Sequence, residues 1–199
     1  MSARGLFTCF GYGSLVNRKT LPADAQCARV RVSGWRRAWR HSSESINGRR
    51  CTLTVVPEPG CTIFGLIVAQ PHKNAEALQV REAQYGKVDL SEQALEWVDA
   101  CPPEWPAPYI HVGHAEHERA GDREHPILLS YLDTVLTGFL HTFGEDGPRH
   151  FMETTADWHV PVLNDRHAPV YPRATALTPD ETALVDDLLA EAGVRLFER

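Results

Sequence analysis

The sequence predicts an α+β fold, with a mainly antiparallel or mixed sheet closing on itself and helices gathered toward the C-terminus. Strand-like segments crowd the first part of the 199 residues and helical ones enter later, which argues against a regular alternation of strand and helix. Composition is ordinary for a folded chain, 43% hydrophobic and 23% charged. The length favours one domain with a sizeable core.

Leu6–Phe10 is short, apolar and followed at once by glycine, so it reads as a buried strand. Arg29–Ser33 alternates polar with apolar, the mark of a half-exposed strand, and Trp35–Trp39 continues it after a bend at Gly34. Arg50–Val56 and Thr62–Ala69 read as two strands, joined by a hairpin turn at Pro57-Glu58-Pro59-Gly60. A first helix is expected over His72–Tyr85, a strand over Tyr109–His114, and a long helix over Ile127–Phe143 behind Pro126. Pro102–Pro108 reads as a stiff surface connector. Another helical piece spans Pro148–Trp158, and Asn164–Pro172 is irregular. The last helix is marked at both ends: Thr178 caps it, Pro179 suits the first position, Glu181 completes a capping box, and Gly193 ends it.

Bulk charge and cysteine usage exclude several function classes. The net charge of −6 speaks against a broad nucleic-acid footprint. Arg36, Arg37 and Arg40, with Arg29 and Arg31 upstream, are interleaved with Trp35 and Trp39, which fits a strand with one wet face. Five cysteines and no C-x-x-C point to a reducing compartment, with Cys9 buried in the first strand. Leu6–Phe10 is too short for a signal-peptide core, and no run approaches a membrane span, so the expected location is cytoplasmic.

Two features carry chemistry. Phe10-Gly11-Tyr12-Gly13-Ser14-Leu15 brackets a turn with glycines, which lets backbone N–H groups turn inward as a nest for a carboxylate or phosphate. Val16 stands where a dinucleotide fingerprint or a hydrolase elbow needs glycine, and no Walker lysine follows. A tight turn with no ligand is the alternative. Ala75, Leu78, Glu82 and Tyr85 fall on one helical stripe, which places Glu82 on the core side. A carboxylate there resists ionising, as a general base working near neutral pH requires. The alternative is a structural ion pair with Arg81 or Arg36.

Those segments, with Gly34-Trp35-Arg36, the strand ending in Gly65, and Arg81-Glu82 followed by Tyr85, together resemble the γ-glutamylcyclotransferase-like superfamily. That group includes γ-glutamylcyclotransferases, glutathione-degrading ChaC-type enzymes and AIG2-like proteins. The resemblance covers about the first 115 residues. It implies a small mixed or antiparallel β-barrel over residues 1–118 with flanking helices, and residues 125–199 as a mainly helical extension of the same domain. It also implies a reaction: the α-amine of a γ-glutamyl amide attacks its own γ-carbonyl, giving 5-oxoproline and a freed amine, with no metal or cofactor. Glu82 would be the acid/base. Tyr12, Gly13, Ser14 and Leu15 would hold the glutamyl carboxylate, and Tyr85 and Tyr109 would bond to substrate. The glycine-and-asparagine segment usual in ChaC-type enzymes is absent, so glutathione is one option among several. A non-catalytic module binding a metabolite or protein, and removal of a γ-glutamyl protecting group, are the competing readings.

Other clusters point elsewhere. His111, His114 and His117 cannot share one metal on a regular strand and read as surface histidines. Asp157, His159, Asp165 and His167 read as a salt-bridged loop anchored by Arg166 and Arg173.

Overall fold

In the computed structural model, which describes residues 5–45, 48–102 and 104–198, a mixed seven-stranded sheet carries most of the first half of the chain. The chain runs through β1 (Leu6–Gly11), β2 (Gln26–Ser45), β3 (Gly48–Pro71), α1 (Ala75–Arg81), β4 (Tyr85–Asp89), β5 (Leu95–Trp97) and β6 (Tyr109–Gly113). It continues through β7 (Ile127–Leu128), α2 (Leu129–Phe143), α3 (Asp146–Glu153), β8 (Thr155–Ala156), β9 (Val162–Leu163), α4 (Pro179–Glu191) and β10 (Leu196–Phe197). The main sheet has the order β4-β6-β1-β3-β2-β5, with β8 also on β2. It curls as an open half-barrel, and among the described residues no ladder joins β4 to the far edge. Its pairs are antiparallel except β1 with β6 and β2 with β8. A small parallel sheet, β10-β9-β7, gathers the later strands.

β1 is a central strand between β3 and β6, and side chains on both of its faces are buried, Cys9 on one and Thr8 and Phe10 on the other. That accounts for its near-continuous apolar run. The expected hairpin at Pro57–Gly60 does not form. Both flanking segments belong to β3 and pair with β2, Ser33 opposite Thr62 and Trp35 opposite Pro57. Residues 58–61 therefore bulge opposite Gly34, and the left-handed backbone at Gly34 (φ 84°) and Gly60 (φ 88°) absorbs the bend. Two long bent strands thus replace four short ones.

The first helix is also shorter than the sequence predicts. His72–Asn74 is 3₁₀, the α-helix ends at Arg81, and Glu82 is its C-cap. Tyr85 leaves the helix and enters β4, opposite Gly113. Ile127 and Leu128 pair with β9 before α2 begins, and α3 stops at Glu153, ahead of Asp157 with its positive φ of 68°. α4 carries the expected capping box. The Pro102–Pro108 connector is irregular, with Pro106 O accepting from Thr8 Oγ1 at 2.8 Å; Pro103 lies outside the described residues. α2 docks on the turn that follows β1, where Asn17 Nδ2 donates to Thr134 O at 2.8 Å. No helix among the described residues is long and apolar enough to cross a membrane.

Candidate active site

The site begins where β1 ends. Past Gly11 the chain turns through Tyr12 and Gly13 into a 3₁₀ turn, Ser14–Val16, closed by Val16 N–H to Gly13 O at 2.9 Å. The N–H groups of Ser14 and Leu15 head that turn, so they have no acceptor within it. Tyr12 is fixed at both ends: its hydroxyl donates to His111 O at 2.8 Å, and its carbonyl accepts from Arg37 Nε at 2.7 Å. The Tyr12–Gly13 peptide is trans, so the Gly13 N–H points away from Arg37. Gly13 itself is needed here, because a Cβ would lie 2.7 Å from Tyr131 Oη and 3.2 Å from Leu53 Cδ2.

Arg37 overturns the reading of its segment as a strand with a wet face at the arginines. Its exposure is 0%, and its guanidinium lies over the neighbouring rings of Phe139 and Phe151 at 5.0 and 4.9 Å. It also donates to Thr154 Oγ1 at 2.7 Å and to Phe64 O. Strand alternation explains the burial, since Arg37 shares a face with the fully buried Trp39. Burial pulls the guanidinium down to about 9, which leaves it charged at neutral pH. Among the described residues it pairs with no carboxylate; its charge is met by dipoles and ring faces. Arg36 and Arg40 behave as surface residues, paired with Glu58 and Asp157.

Glu82 reaches the site from the C-cap of α1. Its side chain is 16% exposed, and Arg81 Nε lies 3.3 Å from its Oε1. Arg81 also donates to Ser14 Oγ at 2.9 Å and Thr20 O at 3.1 Å, so one guanidinium ties the carboxylate to the turn. Burial raises the Glu82 pKa; Arg81 and then Arg173 oppose it and do not cancel it. The Arg81 pair and the raised pKa thus coexist, whereas a pair with Arg36 does not form. Tyr85, entering from β4, donates to Leu53 O at 2.9 Å and Thr52 Oγ1 at 3.1 Å.

Glu82 and the turn share a cavity. A space of about 50 Å³ is lined by Tyr12, Gly13, Ser14, Leu15, Glu82 and Tyr85, together with Phe10, Leu53, His111 and Tyr131. A second space of about 300 Å³ shares Ser14, Glu82, Tyr85 and Tyr131 with it and adds Arg50, Arg81, Tyr171 and Arg173 to its walls. Its size suits a small ligand. Tyr109 lines neither; its ring lies edge-on to His111 and under Lys87 Nζ.

Arg37, His111, Tyr131, Tyr171 and Arg173 are at or beside the site without a local sequence signal for it. Arg37 was assigned to solvent, and His111 was expected at the surface but is 3% exposed. Tyr131 of α2 and the Tyr171–Arg173 segment come from the C-terminal part, whose place no local pattern announces. That segment is held by Val170 N–H to Asp165 Oδ2 at 2.8 Å and Tyr171 N–H to Ser130 Oγ at 3.3 Å. Asp165 accepts from Ser130, Arg166 binds Asp133 and Asp186, and Asp157 binds Arg40. The loop is therefore salt-bridged through Arg166, while Arg173 faces the larger cavity instead of anchoring it. His159 and His167 are exposed. Among the described residues no group of three or more His, Cys, Asp or Glu is placed to hold a metal ion.

No known family and no curated protein matches the sequence. Solved structures do match its architecture. A human protein described as uncharacterized, loc79017, is similar with a TM-score of 0.58 at 12% identity, over 92% of this chain and 99% of its own. A γ-glutamyl cyclotransferase is similar with a TM-score of 0.55 at 12% identity, over 92% of this chain and 99% of its own. At that identity the likeness is one of fold: the chain is built on the architecture of the γ-glutamyl cyclotransferases.

Proposed function

We propose that the protein is a γ-glutamyl cyclotransferase that converts a small γ-glutamyl amide or γ-glutamyl amino acid to 5-oxoproline and the free amine. One observation carries the reading: Glu82, a carboxylate largely withdrawn from solvent with a raised pKa, lines the same small cavity as the backbone turn Tyr12–Leu15. In this reading the turn N–H groups hold the α-carboxylate, and the substrate bends so that its α-nitrogen meets its own γ-carbon. Holding the two ends together supplies up to about 7–11 kcal/mol in ideal cases. Glu82 takes a proton from the α-ammonium. The freed amine attacks the γ-carbonyl, and Glu82 then protonates the departing nitrogen as its C–N bond breaks. Two protons in all pass from the α-nitrogen to the leaving nitrogen, which departs as an ammonium; Glu82 ends as it began and no water is consumed.

The division of space fits two substrate halves. At about 50 Å³ the small cavity takes only the α-carboxylate end of the glutamyl head, and the larger one takes the rest of the substrate with its leaving half, past Ser14, Glu82, Tyr85 and Tyr131. Residues 125–199 then form one wall of the leaving-group side through Tyr131, Tyr171 and Arg173. Tyr109 has no direct part, since it lines neither space.

The test is a panel of γ-glutamyl amino acids, glutathione and γ-glutamyl amines, assayed for 5-oxoproline. Glu82→Gln should keep the fold and lose about 10²–10⁴-fold in kcat. A variant that cyclises substrate as fast as the parent refutes the role of Glu82. A parent that binds γ-glutamyl compounds without turning any over favours a binding module.

A further inference from the structure

The proposed reaction does not use His111, a buried titratable group at the site. His111 sits on β6, 3% exposed, and its Nδ1 is buried with no hydrogen-bond partner among the described residues. A buried polar atom without a partner is unusual and costly, because water no longer solvates it. His111 lines the 50 Å³ cavity together with Glu82 and Gly13. It also lines a third space of about 360 Å³ beside Glu82, and does not line the 300 Å³ space assigned to the leaving half. His111 therefore belongs to the glutamyl-head end of the site, on the Glu82 side.

We propose that His111 contacts substrate directly, accepting a hydrogen bond from the α-amino group of the glutamyl half and orienting that nitrogen toward the γ-carbonyl. The inference rests on the cyclotransferase reading and adds a residue to it. The wall at Glu82 offers an acceptor, whereas the wall at Gly13–Leu15 offers N–H donors. A molecule carrying both an ammonium and a carboxylate is sorted end for end by that difference. A neutral imidazole keeps one nitrogen lone pair, which is what an ammonium or amine donor needs. Burial first, then the charges of Lys87 and Arg81, hold His111 at about 4, so it is neutral at physiological pH. The backbone that carries the ring is held in β6 and by Tyr12, whose hydroxyl bonds to the His111 carbonyl at 2.8 Å.

Binding reads this contact without turnover. L-glutamate carries the α-ammonium; glutarate has the same chain and both carboxylates without it. In the parent protein the ring ¹⁵N resonances of His111 should move on titration with glutamate and stay in place with glutarate. Glutamate should bind more tightly than glutarate, and His111→Phe should cut that preference about tenfold, the worth of one charge-assisted hydrogen bond. His111→Gln, which keeps an acceptor, should restore most of it and most of the kcat/KM lost in His111→Phe. A His111 signal unmoved by glutamate, or an unchanged glutamate preference in a folded His111→Phe protein, overturns the contact. Because the titration uses the parent protein, a misfolded variant does not blunt it. If the parent binds glutamate through His111 yet forms no 5-oxoproline from any substrate, the contact stands and the proposed reaction fails.

Discussion

Replacing Arg37 with methionine tests whether a buried cation holds the turn in place. The substitution keeps an unbranched chain of similar reach and removes the guanidinium. Three acceptors then lose their donor: Tyr12 O, Phe64 O and Thr154 Oγ1. Each buried orphan costs about 1–3 kcal/mol. The rings of Phe139 and Phe151 also lose a cation that lies over them at 5.0 and 4.9 Å, about 0.5–2 kcal/mol each. Against this, the chain no longer buries a charge without a carboxylate partner, a relief of several kcal/mol. The net is destabilising, read from the urea midpoint, with a fall in Tm of about 2–4 °C per kcal/mol at this chain length. The functional effect is separate. With its carbonyl released, the Tyr12–Gly13 peptide rotates and its N–H leaves the cavity, and a displacement of that kind costs about 10²-fold in kcat/KM. Arg37→Lys should fall between, because one ammonium cannot meet three acceptors in the planes a guanidinium reaches. An Arg37→Met protein with the parent's urea midpoint and kcat/KM would show that the turn keeps its shape without this contact.

Gly13→Ala places a methyl 2.7 Å from Tyr131 Oη and inside the small cavity, so kcat/KM should drop by about 10²-fold. Adding Tyr131→Phe removes the atom it strikes and should recover part of the loss, as a double-mutant cycle would show. If Glu82 is the base, kcat/KM rises with pH through its raised pKa, so the acidic limb lies above the ordinary carboxylate range of about 4.3. Arg81→Gln should move that limb further up, since Arg81 pulls the Glu82 pKa down; a limb that stays put separates the two groups. His41 and His111 are each held at about 4, chiefly by burial, against an ordinary 6.5. Between those values the unfolded chain binds more protons than the folded one. Stability is therefore full above pH 6.5 and lost as pH falls toward 4, by up to about 3 kcal/mol per histidine. Urea titrations at stepped pH should show a shallower loss in His111→Gln than in the parent.

What the sequence made legible was local. The capping box at Thr178 and Glu181 needs only neighbours in the chain, and both of its hydrogen bonds form, at 2.7 and 3.2 Å. β1 announced itself by five apolar or small residues before a glycine. Glu82 was reached by a helical stripe that is real as far as Leu78 and Glu82, one turn apart, and then fails at Tyr85. Tyr85 joins the same cavity from a strand, because the chain turns at Ala83 and Gln84 and pairs with β6. Arg37 was legible in principle: alternation puts it on the face of Trp35 and Trp39. The charge argued for solvent, and three acceptors with two ring faces outweighed it. Tyr131 and Arg173 were not legible at all, since their nearness to Ser14 is a product of tertiary packing across more than half the chain.

The two arginines beside the turn hold different relations to the carboxylate, and in the proposed reaction that difference would leave Glu82 able to serve as a base. A unit charge at 4 Å and an effective dielectric of 20 is worth about 4 kcal/mol, or about 3 pKa units. An arginine devoted wholly to Glu82 would hold it ionised and weakly basic. Arg81 is not so devoted: its fork is divided among Glu82, Ser14 Oγ and Thr20 O, and its nearest approach to Glu82 is 3.3 Å. Arg37, the other cation, is turned away from the cavity by the Tyr12–Gly13 peptide, with Tyr12 O as the intervening acceptor. In the proposed reaction its charge would act through that peptide dipole, polarising the Gly13 N–H toward the substrate carboxylate. Burial of Glu82 is left to win over Arg81 and Arg173, which is the direction its pKa takes. The same backbone turn thus stands between a buried cation outside the cavity and the carboxylate that lines it.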